Sequence, residues 1–151
     1  MYYSAQTPHS DPNFYVPQEY LDIYSHIKDL KRRKIIGMIT LLDDLIGNLI
    51  DSLEETGLLK DTIIFFMSDN GGEIHGNGRN YPYRGGKRTV FEGGHKVRSF
   101  VYDGSKSIKS SFYDGMFHSV DWLPTILSAA LNKPIGNILI VIFKSNFYCL
   151  F

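Results

Sequence analysis

The sequence contains a single cysteine, Cys149, among its 151 residues. No internal disulfide can therefore form, and a metal site built from several thiolates is excluded. Net charge is absent as well, because 16 Lys and Arg balance 16 Asp and Glu and the formal charge is +0. This balance argues against nucleic acid or an anionic membrane surface as a broad electrostatic partner.

The sequence also lacks long apolar runs and targeting signals. Its most apolar segment, 135–151, is interrupted by Lys144 and Asn146. The uninterrupted run is shorter than the roughly 18 residues that a membrane helix needs, so we expect no membrane span. The opening stretch "MYYSAQTPHSDPNF" has no signal-peptide pattern, and no N-x-[ST] glycosylation sequence occurs.

The remaining composition is that of a folded domain. Hydrophobic residues make up 43% and aromatic residues 14% of the chain, which excludes a disordered protein. Apolar residues between Lys34 and Thr56 recur at steps of three and four, which predicts an amphipathic helix ended by Gly57. The next segment, "TIIFFMS", is apolar on both faces and predicts a central strand of a parallel sheet. A helix followed by such a strand favours an α/β fold.

The second half of the chain begins with an unusually glycine-rich region. Residues 71–96 contain eight glycines and predict a long irregular loop, which in a compact domain is usually functional. The segment "VRSFVYD" then predicts a second short strand. The segment "HSVDWLPTILSAAL" predicts a helix whose buried side carries Trp122, Leu123, Ile126, Leu127 and Ala130.

Two oxygen donors follow the first predicted strand. In open α/β sheets ligands collect beyond the carboxyl ends of the strands, where Asp69 and Asn70 are expected. A carboxylate and an amide oxygen suit Ca²⁺ or Mg²⁺. An Asx turn closing the strand is the alternative, because Asp-Asn-Gly is common turn chemistry. Two donors are also fewer than the roughly 6–8 ligands that Ca²⁺ takes, so further ligands would have to come from elsewhere.

A cationic loop follows, in the segment "YRGGKRTVFEGG". A phosphate-binding P-loop would require Gly at 81 and Ser or Thr at 88, but Tyr81 and Arg88 stand there. The remaining cations, Arg84, Lys87 and Arg88, suit a tetrahedral dianionic ester if a metal ion lies nearby. A solvated surface lysine is the alternative for Lys87.

Among the five histidines, His9 is the best candidate proton donor. It lies between Pro8 and Pro12, and a proline-framed loop would hold its ring stiffly. His26 is expected to be exposed, and His118 to have a structural role at the start of the last helix. No Ser–His–Asp or Cys–His arrangement has the context of a known nucleophile.

Five motifs in one order resemble the sulfatase family, in particular its arylsulfatase B-like branch. They are the strand followed by D-N-G-G, then N-x-P-x-R-G-x-K, then E-G-G, then D-W-x-P-T, with "VPQEYLDIY" and the long helix upstream. The resemblance covers about residues 1–134, which we take as a partial catalytic domain followed by an unrelated apolar tail, 135–151. It implies an alkaline-phosphatase-like α/β fold with a mixed sheet between helices.

The resemblance also implies roles for particular residues. Asp69 and Asn70 match two of the family's Ca²⁺ ligands, and Lys87 matches the lysine that contacts the sulfate oxygens. His9 matches the histidine that aids departure of the alcohol, although the spacing to "VPQEY" is two residues longer here. The implied substrate is a small sulfate ester or a sulfated glycan, and the implied location is lysosomal or secreted.

One part of the family pattern is missing. The family's nucleophile is a formylglycine made from Cys or Ser in a C/S-x-P/S-x-R motif, and no such motif occurs in these 151 residues. Met1 matches a point inside a family strand, so we expect a fragment or truncated product that is inactive alone. Two alternatives stay open: a non-catalytic remnant or interaction module, and a phosphoester hydrolase of the same superfamily.

Overall fold

The computed structural model describes residues 1–11, 13–106 and 109–131. Four α-helices and two strands follow one another as α1 Gln18–Ile23, α2 Leu30–Glu55, β1 Ile63–Met67, α3 Glu92–His95, β2 Ser99–Asp103 and α4 Trp122–Leu131. Single 3-10 turns occupy Leu59–Asp61, Ile74–Gly76 and Ser119–Asp121. The expected tail at 135–151 and the boundary at residue 134 lie outside the described residues.

Helix α2 begins and ends at residues that satisfy its free backbone groups. The carboxylate of Asp29 accepts hydrogen bonds from the backbone N–H groups of Lys31 and Arg32. At the other end Gly57 adopts φ +70°, and Leu58 N donates to Leu53 O at 2.9 Å, which is a Schellman motif. The predicted helix and its glycine stop are thus confirmed, with a start four residues earlier than Lys34.

The hydrophobic core cluster lies where α1 and the residues just before it pack against α2. Val16, Ile35 and Met38 are buried there, and Gly37 lets the two helices approach closely, because a Cβ on it would lie 3.1 Å from Val16. The Tyr20 hydroxyl donates to an Asp44 carboxylate oxygen at 2.9 Å across the same pair of helices. This hydrogen bond raises the pKa of Tyr20 above its ordinary value.

The two strands pair antiparallel, with Phe65 opposite Val101 and Met67 opposite Ser99. The prediction of a parallel neighbour for β1 is therefore wrong within the described residues. A parallel neighbour requires a crossover that carries the chain back to the start of the strand. Here the loop of residues 68–98 begins and ends at the same end of β1, because Ser68 N donates to Arg98 O at 3.0 Å.

Helix α4 packs through Trp122, whose ring meets Phe65 edge-on at 5.9 Å and Phe117 at 4.8 Å. The predicted buried side is correct only for Trp122. Thr125 and Ser128, which are 3% and 1% exposed, form the rest of the buried line, whereas Leu123 is 66% exposed. These two residues follow Trp122 at steps of three, and the Thr125 hydroxyl donates to Asp121 O at 2.6 Å.

None of the helices in the described part of the chain combines the length and the apolar character that a membrane crossing requires.

Met38→Ala should lower the free energy of unfolding by about 2–5 kcal/mol, because Met38 is 1% exposed in the core between α1 and α2. Urea unfolding followed by circular dichroism would measure the change. Leu45→Ala is the matched control on the same helix, since Leu45 is 39% exposed and its loss should cost less than about 1 kcal/mol. Equal losses for both variants would contradict the core described above.

Candidate functional site

The glycine-rich loop, residues 68–98, is held together by hydrogen bonds between its own motifs. Gly71 N donates to Gly94 O at 2.9 Å, which joins the D-N-G-G segment to E-G-G. Lys87 N donates to Gly72 O at 3.1 Å, which joins D-N-G-G to R-G-G-K. Segments up to 23 residues apart in sequence therefore meet at the edge of the sheet where β1 ends.

Asn80 is the side chain that connects these segments. Its Oδ1 accepts from Gly72 N at 2.8 Å, and its Nδ2 donates to Gly72 O at 2.9 Å and to Gly85 O at 3.0 Å. All three of these hydrogen bonds are made to backbone groups, as the backbone of a neighbouring strand would make them. Asn80 thus fixes the position of both the D-N-G-G turn and the start of the lysine segment.

Glycine is required where these backbones touch. A Cβ built on Gly71 would collide with the carbonyl oxygen of Gly93, and one built on Gly86 would collide with Gly72 O. No other residue fits at either position without moving the opposite segment. The glycines that suggested an irregular loop are therefore the contact surfaces of a compact one.

Asp69 and Asn70 lie just beyond β1, as predicted, and differ in their surroundings. Asp69 is exposed, and its carboxylate makes no hydrogen bond or ion pair with another described residue. Asn70 is half-buried, and its Nδ2 donates to Gly71 O at 2.9 Å. Because the amide nitrogen is used in this way, the Asn70 Oδ1 is the atom left to bind a ligand.

The donor chemistry of this pair fits a hard divalent cation, but the number of donors is small. No group of three or more His, Cys, Asp or Glu side chains that could hold a metal ion occurs in residues 1–11, 13–106 and 109–131. Asp69 and Asn70 therefore supply two of the roughly 6–8 ligands that Ca²⁺ takes. The Asx-turn alternative is not seen among the described residues, because the N–H groups that such a turn would use bind other acceptors, Gly71 N the Gly94 carbonyl oxygen and Gly72 N the Asn80 Oδ1.

Lys87 lies beside this turn. Its backbone bond to Gly72 fixes the start of its side chain, and its ammonium group forms no ion pair with a described residue. The two neighbouring cations are engaged differently. Arg84 stacks over the Phe91 ring at 4.1 Å, and Arg88 lies 3.6 Å from Glu73. Of the three cations in the predicted loop, Lys87 is thus the one that these contacts leave available for an anion.

His9 is exposed and lies in a loop that touches the glycine-rich region. Its Nδ1 accepts from Asp11 N at 3.1 Å, and its ring packs 5.3 Å from Phe14. Because Nδ1 is occupied by this hydrogen bond, Nε2 is the ring nitrogen left to meet a ligand. A Cβ built on Gly76 would lie 2.5 Å from Ser10, so the loop of His9 packs against the loop of Asp69. No hydrogen bond links the His9 side chain to Asp69, Asn70 or Lys87 among the described residues.

Two of the remaining histidines behave as the sequence predicts. His26 is exposed as expected, whereas His75 and His95, which could have lined a pocket in the glycine-rich region, are exposed and line neither described cleft. His118 caps the turn before α4, because its Nδ1 accepts from Val120 N at 3.3 Å and its own N–H donates to Asp121. The structural role expected for His118 is confirmed.

Comparison with known proteins gives a single family. The sulfatase family model matches residues 1–132. The chain belongs to the sulfatase family. The arrangement of D-N-G-G, R-G-G-K and E-G-G around Asn80 is therefore the local structure of sulfatase motifs in this chain.

Curated sulfatases are similar over much of the chain. Arylsulfatase J of Mus musculus is 34% identical over 130 residues, which is 86% of this chain and 21% of the relative. N-acetylgalactosamine-6-sulfatase of Mus musculus is 31% identical over 97 residues, covering 62% and 19%. An ulvan-active sulfatase of Formosa agariphila is 29% identical over 136 residues, covering 86% and 20%. The chain spans about a fifth of the length of these relatives.

A solved structure supports the same fold. The protein Ps i-CgsB, in complex with k-i-k-neocarrahexaose, superposes with a TM-score of 0.77 at 26% identity. The match covers 91% of this chain and 30% of that one. The α/β sulfatase fold expected from the motifs is confirmed, and the antiparallel pair of β1 and β2 is the portion of sheet within the described residues.

Gly71→Ala should destabilise the chain by about 1–3 kcal/mol, because the new methyl group would overlap the Gly93 carbonyl oxygen. Gly47→Ala is the matched control and should act in the opposite direction. A Cβ at Gly47 has nothing within 4 Å in the middle of α2, so alanine there should stabilise by roughly 0.5–1 kcal/mol. Thermal unfolding would compare the variants. Two changes of the same sign would contradict the packing of the glycine-rich loop.

Proposed function

We propose that this chain carries part of a sulfatase catalytic site, the part that binds a divalent cation and the sulfate group of an ester. The observation that carries the proposal is the hydrogen bond between Lys87 N and Gly72 O, which brings the lysine segment onto the turn of Asp69 and Asn70. An anionic ligand placed there meets a cation-binding pair on one side and a lysine on the other. Family membership supports the same assignment.

Each side chain then has a defined task. Asp69 and Asn70 would hold Ca²⁺, which when bound would withdraw negative charge from the sulfate oxygens. Lys87 binds a sulfate oxygen by a charge-assisted hydrogen bond and stabilises the charge that develops there. In a site completed by a nucleophile that attacks the sulfur, His9 in its imidazolium form would give its Nε2 proton to the alcohol oxygen as the S–O bond breaks. Both ring nitrogens carry protons in that form, so the hydrogen bond from Asp11 N to Nδ1 belongs to the neutral ring.

The nucleophile is the element for which the sequence offers no residue. Without a C/S-x-P/S-x-R motif, the 151 residues bind substrate but leave the sulfur without an attacking group. We therefore propose binding without turnover for this chain. The second candidate function, a non-catalytic remnant or interaction module, is favoured by the same absence.

The substrate class is proposed from the relatives. N-acetylgalactosamine-6-sulfatase and the ulvan-active sulfatase are named for sugar substrates, and Ps i-CgsB was solved with an oligosaccharide. We propose a sulfated glycan or small sulfate ester as the ligand, the arylsulfatase B-like branch as the subgroup, and a lysosomal or secreted location.

Asp69→Asn should weaken Ca²⁺ binding at least about tenfold, because it removes the only carboxylate of the proposed pair. Isothermal titration calorimetry with CaCl₂ would measure the dissociation constant. Asp51→Asn, an exposed carboxylate on α2, is the matched control and should leave it unchanged. If both variants lost Ca²⁺ binding, the effect would come from the overall charge of the protein and not from a site at Asp69. Undiminished binding in Asp69→Asn would exclude the assignment.

Lys87→Gln should weaken binding of an aryl sulfate by roughly 10–100-fold, the value of one charge-assisted hydrogen bond. Lys60→Gln, an exposed lysine in the turn before β1, should bind normally. Saturation-transfer NMR with 4-nitrophenyl sulfate would follow binding. The same ester should release no detectable nitrophenol with the wild-type chain, and Ca²⁺-dependent release that disappears in Lys87→Gln would overturn the expected inactivity.

A further inference from the structure

A cleft of about 380 Å³ lies between the start of α2 and the turn that follows D-N-G-G. Three cations line it, namely Lys28, Arg32 and Arg79, together with one carboxylate, Asp29. The whole chain has a formal charge of +0, so this is a local excess of positive charge on a neutral protein. The volume lies within the roughly 300–1,000 Å³ of small-molecule sites.

The single carboxylate is committed to the fold. One oxygen of Asp29 caps α2, and the other accepts from Asn77 Nδ2 at 2.6 Å. The first N–H groups of α2 are thereby satisfied, so the helix end itself offers little to a ligand. The cations remain as the groups that would recognise one.

Two of these cations, Arg32 and Arg79, line the cleft together. Arg32 donates from Nη1 to Asn77 O at 3.3 Å, which fixes its guanidinium at the wall of the cleft. Burial, followed by the charge of Arg79, lowers the pKa of Arg32 from its ordinary value. Arg79 and Lys28 form no ion pair with another described residue. An anion in the cleft would relieve the repulsion between the two guanidinium groups.

The other walls suit a sugar. Ile27 and Ile74 also line the cleft, and Ile74 is 51% exposed. Apolar side chains can cover the C–H face of a pyranose ring while the cations bind its substituent. The cleft also adjoins the proposed site, because its Gly78 packs against Gly72, with 3.1 Å between the Gly78 Cα and a Cβ built on Gly72.

We propose that this cleft binds the anionic substituent of a second sugar unit, so that the chain recognises a glycan carrying more than one sulfate group. The inference rests on the proposed function for the identity of the anion as sulfate. It is independent of Lys87, whose side chain does not line the cleft. An isolated monosulfated ester would occupy the site at Asp69 and Lys87 and leave the cleft empty.

Amide NMR titration of the full chain with a chondroitin sulfate hexasaccharide tests the proposal. Two groups of shifts are expected, one over residues 27–32 and 74–79 and one around Lys87. Arg79→Gln should raise the dissociation constant measured from the first group at least about fivefold and leave the value from the second group unchanged. Arg79 is exposed and makes no side-chain hydrogen bond with a described residue, so this variant should fold. Lys60→Gln, with the same change of charge, should alter neither group.

The controls separate this proposal from the proposed function. Lys87→Gln should abolish the shifts around residue 87 and preserve those of the cleft, so each site can fail alone. A chemically desulfated hexasaccharide should shift neither region. Three outcomes would each overturn the assignment. The amide chemical shifts of the cleft residues could change equally with the desulfated sugar, could change to the same extent in Arg79→Gln, or could fail to change with the sulfated sugar.

Discussion

The structure of the candidate site depends on the close approach of backbones within the glycine-rich loop. Carbonyl oxygens of Gly72 and Gly93 occupy the space that a side chain on the opposite segment would need. Hydrogen bonds from Gly71 to Gly94 and from Lys87 to Gly72 then hold the segments in place. Because these contacts use only backbone atoms, the loop gains order without an apolar core of its own.

The candidate functional side chains take their positions around that constraint. Asp69 and Asn70 project where β1 ends, and Lys87 begins at the carbonyl of Gly72. Asn80 supplies a side-chain connection, with three hydrogen bonds to backbone groups. The cleft beside α2 shares this framework through Gly78, so both candidate anion sites are built on a single arrangement of backbone.

The sequence predicts the local elements of this chain better than their partners. The stop of α2 follows from Gly57, whose positive φ few other residues adopt, and the strands follow from their β-branched and aromatic content. The antiparallel pairing of β1 does not follow, since apolar residues on both faces indicate burial but not the direction of the neighbour. Likewise the period of α4 marks an apolar face, whereas the buried line runs through Trp122, Thr125 and Ser128, which a count of apolar residues does not identify. For the site, the motifs name Asp69 and Lys87 in advance, but the role of Asn80 depends on contacts between distant segments that no local pattern encodes.

The use of Asn80 and glycine as the framework separates two kinds of sequence change. The framework residues lie where two backbones are in direct contact, and any larger side chain there would push the segments apart. Substitutions at these positions therefore act on folding. The side chains of Asp69 and Lys87 make no hydrogen bond or ion pair with the described part of this framework, so under the proposed function substitutions of these side chains should act on ligand binding. Under the proposed function, such a loop could come to bind a different anionic ester through changes in these side chains alone, while its backbone stays the same.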